Sequence, residues 1–287
     1  MSERGYRTGS VESADGTEIG YRELGSGPSI IVVHGGMQAA QNVMGLGRAL
    51  APDYTVYLPD RRGRGTSGPH GAEFGIAREV EDMQALVAAT GATRIFGLSS
   101  GALVSLRTAL ATPALTKVAL YEPPLSVDGS APVDWGPRVD RELAAGRTIP
   151  ALITALKGMG TDPMFAWIPR FVLTPAFSLA MRAQRTVPEG DIPIPDLVPT
   201  IRFDRQLLLE LADTAPDYAA ITARVLLLGG SKSPAYLHTA LDALSCVLPN
   251  ATRTTFPGLD HSGPDDNGNP PRVAEALREF YAQQSAQ

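Results

Sequence analysis

The chain has one cysteine in 287 residues, Cys246, so no disulfide can form within it. Cysteine this scarce suits a reducing compartment, and cytoplasm is the expected location. No apolar run approaches the roughly 18 residues that a membrane-spanning helix requires. The opening residues Met1–Arg7 lack the apolar stretch of a secretory signal. Positive charge is also short: the net charge is −5 and the pI about 5.4, with no basic run. That composition excludes an electrostatic nucleic-acid or membrane-surface footprint, so the expected partner is a small molecule. Lysine is scarce beside arginine, and no function follows from it. No internal repeat or low-complexity segment occurs. Cys246 lies in Leu241-Asp242-Ala243-Leu244-Ser245-Cys246, where it is expected on the buried face of an amphipathic helix rather than as a nucleophile.

What is present is apolar residues, at 44% of the chain, enough for one large domain or two small ones. Two alternating segments around Asp15-Gly16 predict a hairpin over 9–24. Buried strands are expected at Ser29–His34 and Tyr54–Asp60, then a helix from about 74 to 90 with Ile76, Val80, Met83, Leu86 and Val87 at helical spacing. Strand Arg94–Leu98, a helix from Gly101 and strand Lys117–Glu122 follow. After Pro123-Pro124 the rhythm changes. Residues 123–199 hold 12 of the 24 prolines, and the segment reads as broken helices. Strands at Ala223–Leu228 and Ala251–Phe256 then alternate with helices at 236–248 and 271–283. This order implies an α/β class domain with a mostly parallel sheet. Residues 1–124 and 218–287 are expected to form the core, and 125–217 a helical cap or lid.

Gly97-Leu98-Ser99-Ser100-Gly101 joins a strand to a helix. The bare pattern recurs by chance, but at this junction it reads as a nucleophile elbow. The turn holds a serine hydroxyl in the open at the positive end of a helix, beside backbone N–H groups able to bind developing negative charge. His34-Gly35-Gly36-Met37 ends an earlier buried strand, and its glycines let N–H groups turn toward the same edge. The expected oxyanion donors are therefore Gly36 and Ser100, with Met37 as a further contributor. Of the four histidines, His261 follows the last strand directly and is flanked by glycines, which suits a general base. His34 reads as loop-orienting. His238 falls inside a helix, and His70 in a polar glycine loop.

These pieces, together with Asp60-Arg61-Arg62-Gly63-Arg64-Gly65-Thr66-Ser67 and Gly258-Leu259-Asp260-His261, resemble the α/β-hydrolase fold superfamily over nearly the whole length. The resemblance implies an eight-stranded sheet, a helical lid, and a nucleophile, acid and histidine in that order. It does not fix a substrate. It also implies that the Asp60 loop is structural, with its arginines in salt bridges. Most relatives carry an aspartate after the strand equivalent to Val225–Leu228. Here that loop reads Gly229-Gly230-Ser231-Lys232-Ser233-Pro234, and no acid occurs between Asp217 and Asp242. Some haloalkane dehalogenases place their acid at the end of the preceding core strand, which here is Glu122. Asp260, the immediate neighbour of His261, is the rival.

The reading is a serine hydrolase with Ser99 as nucleophile, His261 as base and Glu122 as orienting acid. The expected substrate is a small to medium apolar ester, lactone or related acyl compound. Trp135, Phe165, Trp167 and Phe171 are the expected substrate-binding residues, with Met159, Met164 and Phe177 beside them; several must line the inner face of a lid over the sheet, and most could instead be plain lid core. No cofactor or metal is expected, and the protein would be a monomer or homodimer. The alternatives are a lyase, cyclase or cofactor-free haloperoxidase-like enzyme on the same scaffold, or a catalytically silent small-molecule binder. Serine at position 99 argues against the carboxylate-nucleophile chemistry of dehalogenases and epoxide hydrolases.

Overall fold

The computed structural model describes residues 5–160, 167–183 and 187–283. Eight strands form one sheet in the order β1-β2-β4-β3-β5-β6-β7-β8. They are β1 (Arg7–Glu12), β2 (Glu18–Gly25), β3 (Ser29–Val33), β4 (Thr55–Pro59), β5 (Arg94–Leu98), β6 (Lys117–Tyr121), β7 (Arg224–Gly230) and β8 (Ala251–Phe256). Strand β2 pairs antiparallel with β1 and with β4; every other pairing is parallel. The β-branched and leucine-rich strands are buried on both faces, as a parallel sheet covered by helices demands. Alternation decides which side chain goes where. Ile31, Val33, Val225 and Leu227 enter one apolar layer with residues of α2 (Ile76–Thr90), α3 (Ser100–Ala111) and a helix over Ala235–Val247. Ile30, Val32, Leu226 and Leu228 enter the other, with α1 (Met44–Leu50) and the terminal helix Pro270–Ala282.

The strand boundaries lie within about two residues of those expected. Helix α1 has no counterpart in the sequence reading: seven residues with glycine at 45 and 47 carry too little periodicity to register. Cys246 is exposed, not core. On its helix the buried stripe is Leu237, Ala240, Leu241 and Leu244, and a residue two beyond Leu244 points roughly 200° away from it.

Between β6 and β7 come α4 (Gly136–Ala144), α5 (Thr148–Met159), α6 (Arg170–Ala183), α7 (Ile194–Leu197) and α8 (Ile201–Glu210). Helices α4 to α6 share with Val198 and Ile201 a small apolar cluster that includes Trp135, Val139, Leu152, Ala155 and Met181. From Leu207 onward the segment instead packs into the sheet core, through Leu211, Tyr218 and Ile221. The remaining helices are α9 (Ala235–Val247) and α10 (Pro270–Ala282).

The chain turns from β3 outward to β4 and then returns to place β5 on the other side of β3. Such a reversal opens a crevice at the carboxyl ends of the two strands, where open α/β sheets bind ligands. The loops leaving β3 and β5 are Gly35–Met37 and Ser99.

Candidate active site

Ser99 sits between β5 and α3 with φ 55° and ψ −124°. That left-handed backbone is uncommon for any residue with a Cβ, and holding it costs on the order of 1–3 kcal/mol. Two glycines make the turn possible. A Cβ on Gly97 would lie 2.4 Å from the Gly101 carbonyl oxygen and 2.5 Å from Ser105 Oγ; one on Gly101 would lie 2.3 Å from the His34 carbonyl oxygen. The obstacles at Gly101 are backbone atoms of the adjacent β3 end, which cannot rotate away. Gly101→Ala is therefore expected to destabilise the fold by about 1–3 kcal/mol or more, as overpacking does. A urea midpoint equal to the wild type's would contradict this packing.

Met37 (φ 52°) and Glu122 (φ 48°) are also left-handed, and both follow core strands at the same edge of the sheet. Strain concentrated there is held by surrounding contacts. Glu122 is completely buried. Its Oε1 accepts a hydrogen bond from the Gly230 N–H at 2.6 Å, and its Oε2 lies 2.6 Å from His261 Nδ1. A buried carboxylate makes Nδ1 the protonated nitrogen, leaving Nε2 bare. The two glycines that end β7 have a packing role. A Cβ on Gly229 would press to 3.2 Å from Glu122 Oε1, and one on Gly230 to 2.4 Å from the Leu259 carbonyl oxygen. The two glycines thus leave room for the Glu122 carboxylate and for the loop that carries His261. Ser231 Oγ accepts from the Gly258 N–H and Tyr121 Oη donates to the Asp260 carbonyl, bracing that loop. Asp260 Oδ1 accepts from the Ser262 N–H. The rival acid is occupied with its own turn, and among the described residues its carboxylate makes no bond to His261.

His34 is buried and neutral. Burial holds its pKa well below the usual imidazole value, as do Arg64 and Arg61 nearby. Its Nδ1 lies 2.9 Å from the Gly35 carbonyl and its Nε2 accepts from the Arg61 N–H, so it orients the loop. Asp60 accepts from the N–H groups of Ala40 and Thr66, a turn-capping role. Arg61 reaches Glu79 through two bonds and Asp204 at 3.0 Å; Arg62 reaches Asp82 the same way. The arginines of this loop are held in buried ion pairs.

One correction concerns the oxyanion donors. The Met37 N–H already donates to Asp204 Oδ2 at 3.3 Å, which leaves Gly36 and Ser100 as the candidate pair. Asp204 was not expected at all. A cavity of about 210 Å³ joins these groups, lined by Gly36, Met37, Ser99, Ser100, His261, Tyr236 and Asp265 from the sheet side and by Trp135, Leu156, Met159, Asp204 and Leu208 from α4, α5 and α8 or the residues beside them. Gln38 Nε2 donates to Asp265 Oδ2 at 2.8 Å, and burial pushes the Asp265 carboxyl up to about 6.

Of the residues expected at the substrate, Trp135, 8% exposed, lines the cavity, as does Met159. Trp167 and Phe171 are 88% and 78% exposed, on the outer surface of the helical segment, and do not line it. Residue types told of an apolar helix but not which way its faces turn. Phe165 and Met164 lie outside the described residues. No helix among the described residues is long and apolar enough to cross a membrane.

The structure resembles that of an alpha/beta hydrolase from Sphaerobacter thermophilus with a TM-score of 0.76 and 29% identity, covering 96% of this chain and 100% of that one. An esterase from Rhodococcus sp. ECU1013 shares the fold at a TM-score of 0.68 and 22% identity, covering 98% and 100%. In sequence, a pimeloyl-[acyl-carrier protein] methyl ester esterase of Xanthomonas campestris is 26% identical over 262 residues, 90% of this chain and 97% of that one. Residues 30–276 match the Alpha/beta hydrolase family, and the chain belongs to that family of hydrolases.

Proposed function

We propose that the protein is a carboxylic ester hydrolase that works through an acyl-enzyme on Ser99. The observation that carries this reading is one cavity shared by the strained Ser99, the Gly36 and Ser100 loops, and His261 held 2.6 Å from a buried carboxylate. Ser99 Oγ attacks the ester carbonyl carbon while its proton passes to His261 Nε2. The carbonyl becomes an oxyanion facing the N–H groups of Gly36 and Ser100. When it collapses, the ester C–O bond breaks and the leaving alkoxide takes the proton from His261. Water then attacks the acyl-enzyme by the same route and restores the serine hydroxyl. Glu122 keeps Nδ1 protonated throughout and stabilises the transient imidazolium. The esterase names among the sequence and fold relatives agree with this chemistry.

The segment after β6 acts as the lid in this reading. Trp135, Leu156, Met159 and Leu208 give the cavity an apolar wall that suits the acyl or alcohol portion of an uncharged ester. The small cavity favours short chains. Across p-nitrophenyl acetate, butyrate, octanoate and palmitate, kcat/KM is expected to peak at acetate or butyrate and to fall steeply beyond, with a pre-steady-state burst of p-nitrophenol. A rising profile toward palmitate would contradict the cavity assignment. An enzyme with no turnover of any of the four would contradict the ester-hydrolase reading.

A further inference from the structure

Asp204 is a buried acid that the acyl-transfer chemistry above does not use, and it touches both loops that carry the candidate oxyanion donors. Its Oδ2 accepts from the Met37 N–H at 3.3 Å, and its Oδ1 accepts from Ser100 Oγ at 2.9 Å. A Cβ on Gly36 would already lie 3.2 Å from the Asp204 carboxylate, so the group also backs that residue closely. Arg61 Nη1 donates to Oδ1 at 3.0 Å and to Ser100 Oγ at 2.9 Å, and Arg64 Nη2 donates to Oδ2 at 2.7 Å.

The side chain is delivered by a firmly seated helix. On α8, Gln206 Nε2 donates to the Phe74 carbonyl, Glu210 Oε2 accepts from the Ile76 N–H, and the Phe203 ring stacks on His70 at 3.6 Å. Asp204 is thus fixed relative to the sheet by neighbours on both sides.

An anion beside an oxyanion site would ordinarily oppose catalysis. Burial alone would raise the pKa of Asp204, but Arg64 and Arg61 outweigh it and hold the carboxyl well below its usual range. Arg61 is shared with Glu79. Arg64 Nε and Nη1 have no partner among the described residues, so Asp204 is its close counter-ion. The buried quartet Arg61, Arg64, Glu79 and Asp204 therefore sums to zero charge. Asp204 can hold the loops without adding net charge to the cluster.

We propose that Asp204 is a positioning residue for the oxyanion hole, tying the Gly36–Met37 loop and Ser100 to helix α8 so that both N–H groups point at one place. The inference rests on the acyl-enzyme reading. Alignment is where its effect lies, since displacing a catalytic donor by about 1 Å costs on the order of 10²-fold in rate.

The test compares wild type, Asp204→Asn, Ser100→Ala and the double variant on p-nitrophenyl acetate, with active sites counted by a fluorophosphonate. Asp204→Asn should lower kcat by about 10–100-fold with KM little changed. Ser100→Ala keeps its backbone N–H and Asp204 but loses the hydroxyl's bonds to Asp204 and to Arg61, so it should cost less, and the double variant should be no slower than Asp204→Asn. Affinity for a trifluoromethyl ketone, whose adduct carries an oxyanion, should fall by the same factor as kcat/KM. A merely structural lesion would change the titratable fraction and leave that affinity per active site unchanged. Asp204→Asn with undiminished or raised kcat, additive effects in the double variant, or an unaltered ketone affinity would overturn the proposal. If Asp204→Asn does not fold, the ketone affinity of Ser100→Ala decides by the same criterion. A wild type that neither turns over the ester nor reacts with the fluorophosphonate defeats the acyl-enzyme reading and this inference with it. A reactive wild type with an equally active Asp204→Asn defeats the positioning role alone.

Discussion

Ser99→Ala is expected to lower kcat on p-nitrophenyl acetate by about 10⁴–10⁶-fold while the melting temperature stays near that of the wild type. The rate effect is large because the hydroxyl is the only atom lost, and in this account it is the atom that forms the covalent bond. Stability should barely move. Alanine fits every site that serine does, and the turn's tight contacts are made by Gly97 and Gly101, which remain. Residual turnover should reflect only binding and the oxyanion donors. A variant within about tenfold of the wild type would remove Ser99 from the reaction.

Glu122→Gln should lower kcat by about 10²–10⁴-fold, again with the fold intact. The carboxylate has two acceptor oxygens and two donors facing it: the Gly230 N–H and the His261 Nδ1–H. Glutamine has one carbonyl oxygen. If that oxygen keeps Gly230, its NH₂ group faces Nδ1 and stabilises the tautomer with a bare Nδ1. The proton then sits on Nε2, the nitrogen that must accept from Ser99. The imidazolium also loses its counter-ion. Rates near the wild type would reduce Glu122 to a strand-end residue and leave a serine–histidine pair.

Much of the fold was legible because a parallel sheet announces itself. Runs such as Ile30–Val33 and Val225–Leu228 are too apolar to be anything but buried, although Gly229 and Gly230, read as loop, continue the second strand. The Glu122–His261 contact was reachable by a different route, the resemblance: the aspartate most relatives carry after β7 is absent, and some haloalkane dehalogenases place their acid at the end of β6. The structure shows why that position works, since parallel pairing of β6 with β7 brings Glu122 beside Gly229 and Gly230. The outward faces of Trp167 and Phe171 were not legible, because aromatic residues fix the apolarity of a segment and not its rotation. Asp204 was hidden for another reason. Its partners Arg61, Arg64, Ser100 and Met37 lie more than a hundred residues away in the chain, and only folding brings them together. One trace was available. Asp204 shares a buried helical stripe with Ile201 and Leu207, and an acid on such a stripe requires a cationic partner.

The site at which a fluorophosphonate attaches tests the acyl-enzyme on Ser99 most directly. Intact mass and peptide mapping of the wild type should reveal a single adduct, on Ser99, and Ser99→Ala should acquire none under the same conditions. An adduct on another residue, equal labelling of the variant, or ester turnover by a wild type that takes up no probe would contradict it.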